Sequence, residues 1–367
     1  MVWNITTFEK RIELIIQLLE KEQNKETLEL LKYDLNALKN YIEYCNITDK
    51  KQPMSLLKSY EILKFDYSSI SYLWQEFQKH YSLSIKPINI PPLKSASLSQ
   101  SNLFEITHDF FKSLNNSYYQ CFMHYYKKRK EHVNFVFDEN PFSNEGLTYI
   151  LPSLKESFIE INRTYTIEDS LRLIHEYSHS ISSLMNPYQM RYPKKIYSEI
   201  DSIFMEMIAT DYLKCCTTEE NISILNMDRI KNFYYISKDI NNIINLINAE
   251  KKQNQDFNKN KILKEIALKE CDINNNELED LLKYPDLYST IYLISYIFAI
   301  ELYYIYLEDK ELALHILKKI ILINENNDEK IFKDIKKLGL IPNKNFAKYQ
   351  KECKQKYNEL SRKRSKL

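Results

Sequence analysis

The chain has 367 residues, is 44 % apolar and carries a formal net charge of +1. It is therefore a globular chain with room for one large domain or a few ordinary ones, and neither a globally basic nucleic-acid binder nor an acidic tail protein. Only two glycines occur, Gly146 and Gly339, which excludes glycine-rich phosphate loops and dinucleotide fingerprints.

Met1-Val2-Trp3-Asn4 leads straight into an amphipathic helix, with no signal-peptide pattern. Residues 7–82 predict a group of helices, in which Leu28, Leu31, Leu35, Leu38, Ile42 and Cys45 form one apolar stripe of a helical hairpin. The stretch with Pro87, Pro91, Pro92, Ser95, Ser97, Ser99 and Ser101 is the candidate linker. It divides an N-terminal helical region, 1–102, from a second region, 103–367, within one integrated fold. Helices resume over 103–129. Val133 to Phe137, Leu147 to Leu151 and Ser157 to Asn162 are short β-favouring runs separated by Asn, Pro and Gly, and predict a small sheet. Thr166 with Asp169 predicts a capped helix start. A further helix is expected to begin near Tyr197. Long helices are then expected over 225–250, 259–271, 275–283, 287–308 and 310–322. Leu287 to Leu307 carries one charge, Glu301, and is about long enough to cross a bilayer. Its tyrosines favour a buried helix instead, with a membrane span as the weaker alternative. The basic tail from Lys344 predicts a frayed surface helix without a nucleic-acid role. The six cysteines, Cys45, Cys121, Cys215, Cys216, Cys271 and Cys353, contain no Cys-x-x-Cys pair, so they predict reduced thiols and a cytoplasmic location.

The chemistry concentrates in His175-Glu176-Tyr177-Ser178-His179. His175 and His179 are i and i+4, so both imidazoles leave one face of a helix and can reach one Zn²⁺. Glu176 is turned by about 100° and can act as general base on a metal-activated water. Catalytic zinc needs a third protein ligand. Glu199, twenty residues after His179 on the next predicted helix, is the candidate. Ser202 and Glu206 share its face and can hydrogen-bond the ligands from behind. Leu171, Leu173, Ile174 and Ile181 make the zinc helix largely buried, where unpartnered His and Glu would be costly.

The segments Leu173 to His179 and Ser198 to Glu206 resemble the thimet oligopeptidase and oligoendopeptidase F family, which carries His-Glu-x-Gly-His followed by Glu-x-x-Ser-x-x-x-Glu. Phe158 to Asn162, with Thr166 and Asp169, is also similar. The resemblance covers about residues 155–210 and, more loosely, 284–307. It implies a mainly α, zincin-like metallopeptidase: a helical bilobed shell around a cleft, with a small sheet beside the His-Glu-x-x-His helix. It implies one zinc ion on His175, His179 and Glu199, Glu176 as base, and Glu206 as a supporting residue. Tyrosines of the second region would stabilise the tetrahedral intermediate, with Tyr292 the best match, then Tyr288 and Tyr296. Ser178 stands where the family has Gly. Leu281, Leu282, Lys283 and Tyr284 stand where it carries a histidine, and the chain is shorter than typical members.

The reading is a zinc metalloendopeptidase acting on oligopeptides, with Ser157 to Asn162 expected as an edge strand that holds the peptide. The alternative is a weakened peptidase fold that binds peptides or regulates a partner. His80, His108, His124, His132 and His315 are expected to be ordinary histidines, although His132 precedes a strand and could line the cleft.

Overall fold

A computed structural model describes residues 5–47, 90–93, 98–136, 146–188, 198–234, 288–325, 328–341 and 345–364. The helices expected at 259–271 and 275–283 lie outside these residues, as do all of residues 48–89.

Helices α1 (Ile5–Leu19) and α2 (Lys25–Ile47) form the expected N-terminal pair. The stripe on α2 faces inward, with Leu31 and Leu38 buried and Leu35 and Ile42 partly so. The helices expected over 103–129 are α3 (Gln100–Ser113), α4 (Asn116–Tyr126) and the single turn α5 (Arg129–His132). Ser99 belongs to a helix start and not to a linker. Its hydroxyl accepts from the Asn102 backbone N–H, and the Asn102 side chain reaches back to the Ser99 N–H, which satisfies two otherwise orphaned donors.

The sheet contains β1 (Val133–Val136), β2 (Gly146–Leu151) and β3 (Glu156–Asn162), in the order β1-β3-β2. β3 pairs with β1 in parallel and with β2 antiparallel. It is the central strand, which corrects the expectation that Ser157 to Asn162 forms an edge. The physical reason is burial: β3 is flanked by a strand on each side and is buried throughout from Ser157 to Asn162. Among the described residues β2 stands at an edge.

The two faces of the sheet serve different cores. Phe158, Leu147 and Leu151 pack with Phe8, Ile15, Leu31 and Leu38 of the N-terminal pair. Ile159 and Ile161 pack into the large core with α6 (Glu168–Met185), α7 (Ile200–Tyr212) and α9 (Tyr288–Glu308). Here α8 denotes the helix described over 219–234. Polar contacts tie the N-terminal pair to the β2–β3 turn. Arg11 Nε donates to Glu156 at 2.8 Å, and Asp34 accepts from the backbone N–H and hydroxyl of Ser153. Asp34 is fully buried, and burial pushes its carboxyl up to about 7.

The chain ends with α10 (Lys310–Ile321), α11 (Asp328–Lys337) and α12 (Phe346–Arg364). No helix among the described residues is long and apolar enough to cross a membrane. Glu301, the single charge within the apolar α9 stretch, is buried and accepts from the Asn345 backbone N–H at 2.6 Å and from its side-chain amide at 2.8 Å. It thus fixes the start of α12. That helix is not frayed at its origin, because Phe346, Tyr349 and Cys353 are buried. The architecture is mainly α with one small sheet beside the His-Glu-x-x-His helix.

Candidate metal centre

α6 begins at Glu168, and its acidic first turn, Glu168 and Asp169, suits the positive end of the helix dipole. The start is built differently from the expected capping signal. Thr166 Oγ1 accepts from the Glu168 N–H at 3.2 Å, while the Asp169 carboxylate accepts from the backbone N–H groups of Thr164 and Tyr165. Arg163 Nε closes the same cluster with a buried 2.8 Å bond to Asp169. The helix stops at Asn186, followed by Pro187, a residue that cannot continue it.

Little more than one turn of α6, His175 to His179, carries the candidate chemistry. The rings of His175 and His179 are 4.8 Å apart and nearly perpendicular, and their Nε2 atoms are separated by 3.1 Å. Glu199 closes the triangle. Its Oε2 lies 3.3 Å from His175 Nε2 and 3.1 Å from His179 Nε2. Helix α7, expected to begin near Tyr197, starts at Ile200, which leaves Glu199 in the N-cap position. Its carboxylate makes no cap hydrogen bond and turns to the histidines instead. Glu199 is fully buried, with His175 and His179 close to it. The three side chains form a group compatible with a metal site, the one such cluster found among the described residues.

The surrounding residues orient these groups. His175 Nδ1 lies 2.5 Å from Glu206 Oε1, which leaves its Nε2 lone pair for the centre of the triangle. Ser202 Oγ lies 3.1 Å from Glu199 Oε2. Three Lewis-basic atoms so close repel one another unless a cation stands between them or a ring is protonated. Burial alone would lower the pKa of His175, but its hydrogen bonds with Glu199 and Glu206 outweigh burial and hold it well above the ordinary value.

Glu176 points from the same helix toward β2. Thr148 Oγ1 donates to Glu176 Oε2 at 2.6 Å, and the side chain is 96 % covered, with 4 % exposure. Gly146 lies directly beneath it: a Cβ at that position would fall 2.7 Å from Glu176 Oε1. Ser178 donates to the Ile174 carbonyl at 2.7 Å, so its hydroxyl folds back on its own helix.

Four residues of this neighbourhood escape the sequence reading. Gly146 and Thr148 seat Glu176. Asp201 is buried with one carboxylate oxygen on Ser182 and the other 3.9 Å from His179 Nδ1; burial raises its pKa. Arg229, from α8, is buried 3.8 Å from Glu206 Oε2 and donates to Tyr349 Oη at 3.2 Å and to Thr210 Oγ1 at 3.1 Å. The rule that a ligating histidine commits its other nitrogen to a carboxylate or carbonyl was the available signal for Asp201. None existed for Arg229, which is distant in sequence.

Of the three candidate tyrosines on α9, Tyr296 is partly buried against the large core. Burial, then the charges of Glu206, Asp228 and Glu199, hold its phenol above the ordinary range against the opposing pull of Arg229. Tyr292 is partly buried against the large core, and the side chain of Tyr288 lies outside the described residues. His132 is buried and stacked on Phe158 at 4.5 Å. Phe158 faces the N-terminal helices, so His132 lies across the sheet from α6 and away from this centre.

No protein-family model matches the sequence, and no curated protein matches it either. Solved structures do. The chain is similar to a PZ peptidase A solved with an inhibitor, at a TM-score of 0.52 and 14 % identity, over 90 % of this chain and 65 % of that one. It is similar to a structure named as a peptidase of Chlamydophila abortus, at a TM-score of 0.53 and 13 % identity, over 96 % of this chain and 63 % of that one. An oligoendopeptidase F structure from Bacillus anthracis aligns at 0.44 and 12 %, over 97 % of this chain and 62 % of that one. The fold is shared with the first two, and the chain spans less than two thirds of the length of each of these three structures.

Proposed function

We propose that this chain is a zinc-dependent metallopeptidase of the thimet oligopeptidase and oligoendopeptidase F type that hydrolyses peptide bonds in oligopeptides. The observation that carries the reading is the triangle of His175 Nε2, His179 Nε2 and Glu199 Oε2, with edges of 3.1, 3.1 and 3.3 Å. Tetrahedral zinc with arms of about 2.0–2.1 Å spaces its ligands about 3.3–3.4 Å apart, so the donor set and its spacing fit that ion. Two histidines and one glutamate also match a ligand set used by catalytic zinc, which keeps a position open for water or substrate.

Bound zinc supplies Lewis acidity, lowering the pKa of water toward about 7 and polarising a carbonyl. The protein's own groups do the rest. Glu206 and Ser202 hold His175 and Glu199 in place. Glu176, seated by Thr148, takes the proton from the attacking water and delivers it to the leaving amine nitrogen. A tyrosine of α9 donates to the developing oxyanion, with Tyr292 the first candidate and Tyr288 and Tyr296 the others. With β3 in the middle of the sheet, the role of holding an extended peptide by main-chain hydrogen bonds passes to the edge strand β2, whose residues Gly146 and Thr148 already touch Glu176.

The test is Glu176→Gln. The variant is expected to retain zinc and to lose cleavage of a quenched peptide library, read by fluorescence and mass spectrometry. Undiminished cleavage by that variant, after removal of contaminating protease, refutes the mechanism. Peptide binding without turnover by the zinc-loaded wild type would favour a binding protein built on the same fold.

A further inference from the structure

Cys215 and Cys216 take no part in the chemistry above. They lie where α7 ends, on and just beyond the 3-10 turn Leu213–Cys215. Both are exposed, and their sulfurs stand 3.4 Å apart. The turn is held by its own backbone: the Cys216 and Thr217 N–H groups both donate to the Leu213 carbonyl, at 2.8 and 3.0 Å. The Cys215 thiol donates to the Tyr212 carbonyl at 3.0 Å. Two thiols are therefore presented to solvent side by side on an ordered turn.

Adjacent cysteines are poor partners for a disulfide. Their Cα atoms, joined by a trans peptide, lie about 3.8 Å apart, whereas disulfides span about 4.4–6.8 Å between Cα atoms. The sulfurs would also have to close from 3.4 Å to about 2.05 Å. Partial desolvation and the neighbouring Cys215 push the Cys216 thiol up to about 11, which keeps it protonated and slow toward oxidants at neutral pH. The pair thus persists as a dithiol. It is also short of ligands for a four-coordinate metal such as zinc. Among the described residues the three-donor cluster is the one at His175, His179 and Glu199, and Lys214 and Asp211 beside the thiols pair with each other.

One class of ligand needs two sulfurs at contact distance and nothing more. We propose that Cys215 and Cys216 form a chelating site for trivalent organoarsenicals, soft thiophiles that bind through paired thiols. In the reaction with an arsenous oxide, two As–S bonds form and the As–O bonds break. The two thiol protons leave with the oxide oxygen as water. Arsenic stays trivalent and the sulfurs stay at the thiol level, so no oxidant is consumed. The site is separate from the metal centre, because α7 spans 13 residues, about 20 Å of helix, between Glu199 and the thiols.

The experiment treats the full chain with phenylarsine oxide and reads intact mass. The expected result is one adduct with loss of water that survives excess monothiol and is removed by a dithiol. Cys215→Ser and Cys216→Ser should each abolish this monothiol-resistant adduct, while Cys121→Ser and Cys353→Ser should retain it. Both paired positions are exposed, so serine leaves the fold in place. Persistence of the resistant adduct in Cys215→Ser and Cys216→Ser, or its removal by monothiol in the wild type, overturns the proposal.

Discussion

Gly146→Ala is the sharpest perturbation of the proposed base. The added Cβ would stand 2.7 Å from Glu176 Oε1, 2.8 Å from Cγ and 3.1 Å from Cδ. The carboxylate has little freedom to yield, since it is 4 % exposed and bound to Thr148 Oγ1 at 2.6 Å. Strand β2 is paired along its length to β3, and the Thr148 hydroxyl also reaches the Glu176 carbonyl at 3.0 Å, so the side chain must leave its seat. Breaking a hydrogen bond to a charged group costs about 1.5–3 kcal/mol. Misplacing a reacting group by about 1 Å lowers turnover on the order of 10²-fold. The expected outcome is a fall of about that size in kcat on a quenched peptide, with zinc content unchanged, because none of the three ligand residues is among the atoms that the new methyl meets. Gly339→Ala is the control. Gly339 has φ +93 and nothing within 4 Å of the added Cβ, so it should lose about 1–2 kcal/mol of stability and no activity. Wild-type turnover in Gly146→Ala would refute the placement of Glu176 against β2.

Two further substitutions probe the surroundings. Glu206→Ala removes the 2.5 Å partner of His175 Nδ1 and should weaken zinc binding about 10–100-fold, measured by chelator competition; unaltered affinity would remove Glu206 from the site. Asp34 is raised from 3.8 to about 7 by burial. The folded state therefore binds this proton more tightly than the unfolded chain. Its stabilising effect is fully present below the unfolded value and is lost as pH rises through about 7. That rise corresponds to roughly 4 kcal/mol. Urea unfolding of the wild type should show stability falling across this window, and Asp34→Asn should flatten the fall and gain stability at about pH 8. An identical pH slope in the variant would refute it.

The candidate metal-site residues were legible because their pattern is local. His175 and His179 share a face by the helical repeat, and Glu199, Ser202 and Glu206 share the next one for the same reason. The β-favouring runs also stood out, since Pro and Asn interrupt them. Strand order did not. Pairing joins residues far apart in the chain, and the composition of Ser157 to Asn162 is as compatible with an edge as with a centre until β1 and β2 are both placed against it. The caps of α3 and α6 were misread for a smaller reason. A hydroxyl or carboxylate has several nearby N–H groups within reach, and packing decides which it takes.

The sequence by itself determined the mainly helical class and a two-histidine, one-glutamate donor set in which each face follows from helical periodicity. Only the tertiary structure decided that Thr148 and Gly146 seat Glu176, that Asp201 stands near His179 and Arg229 near Glu206, that β3 lies at the centre, and that Glu301 anchors the start of α12. Periodicity dictates which side chains leave a helix together. What they meet depends on elements tens to hundreds of residues away, brought there by burial of apolar surface that no local pattern encodes.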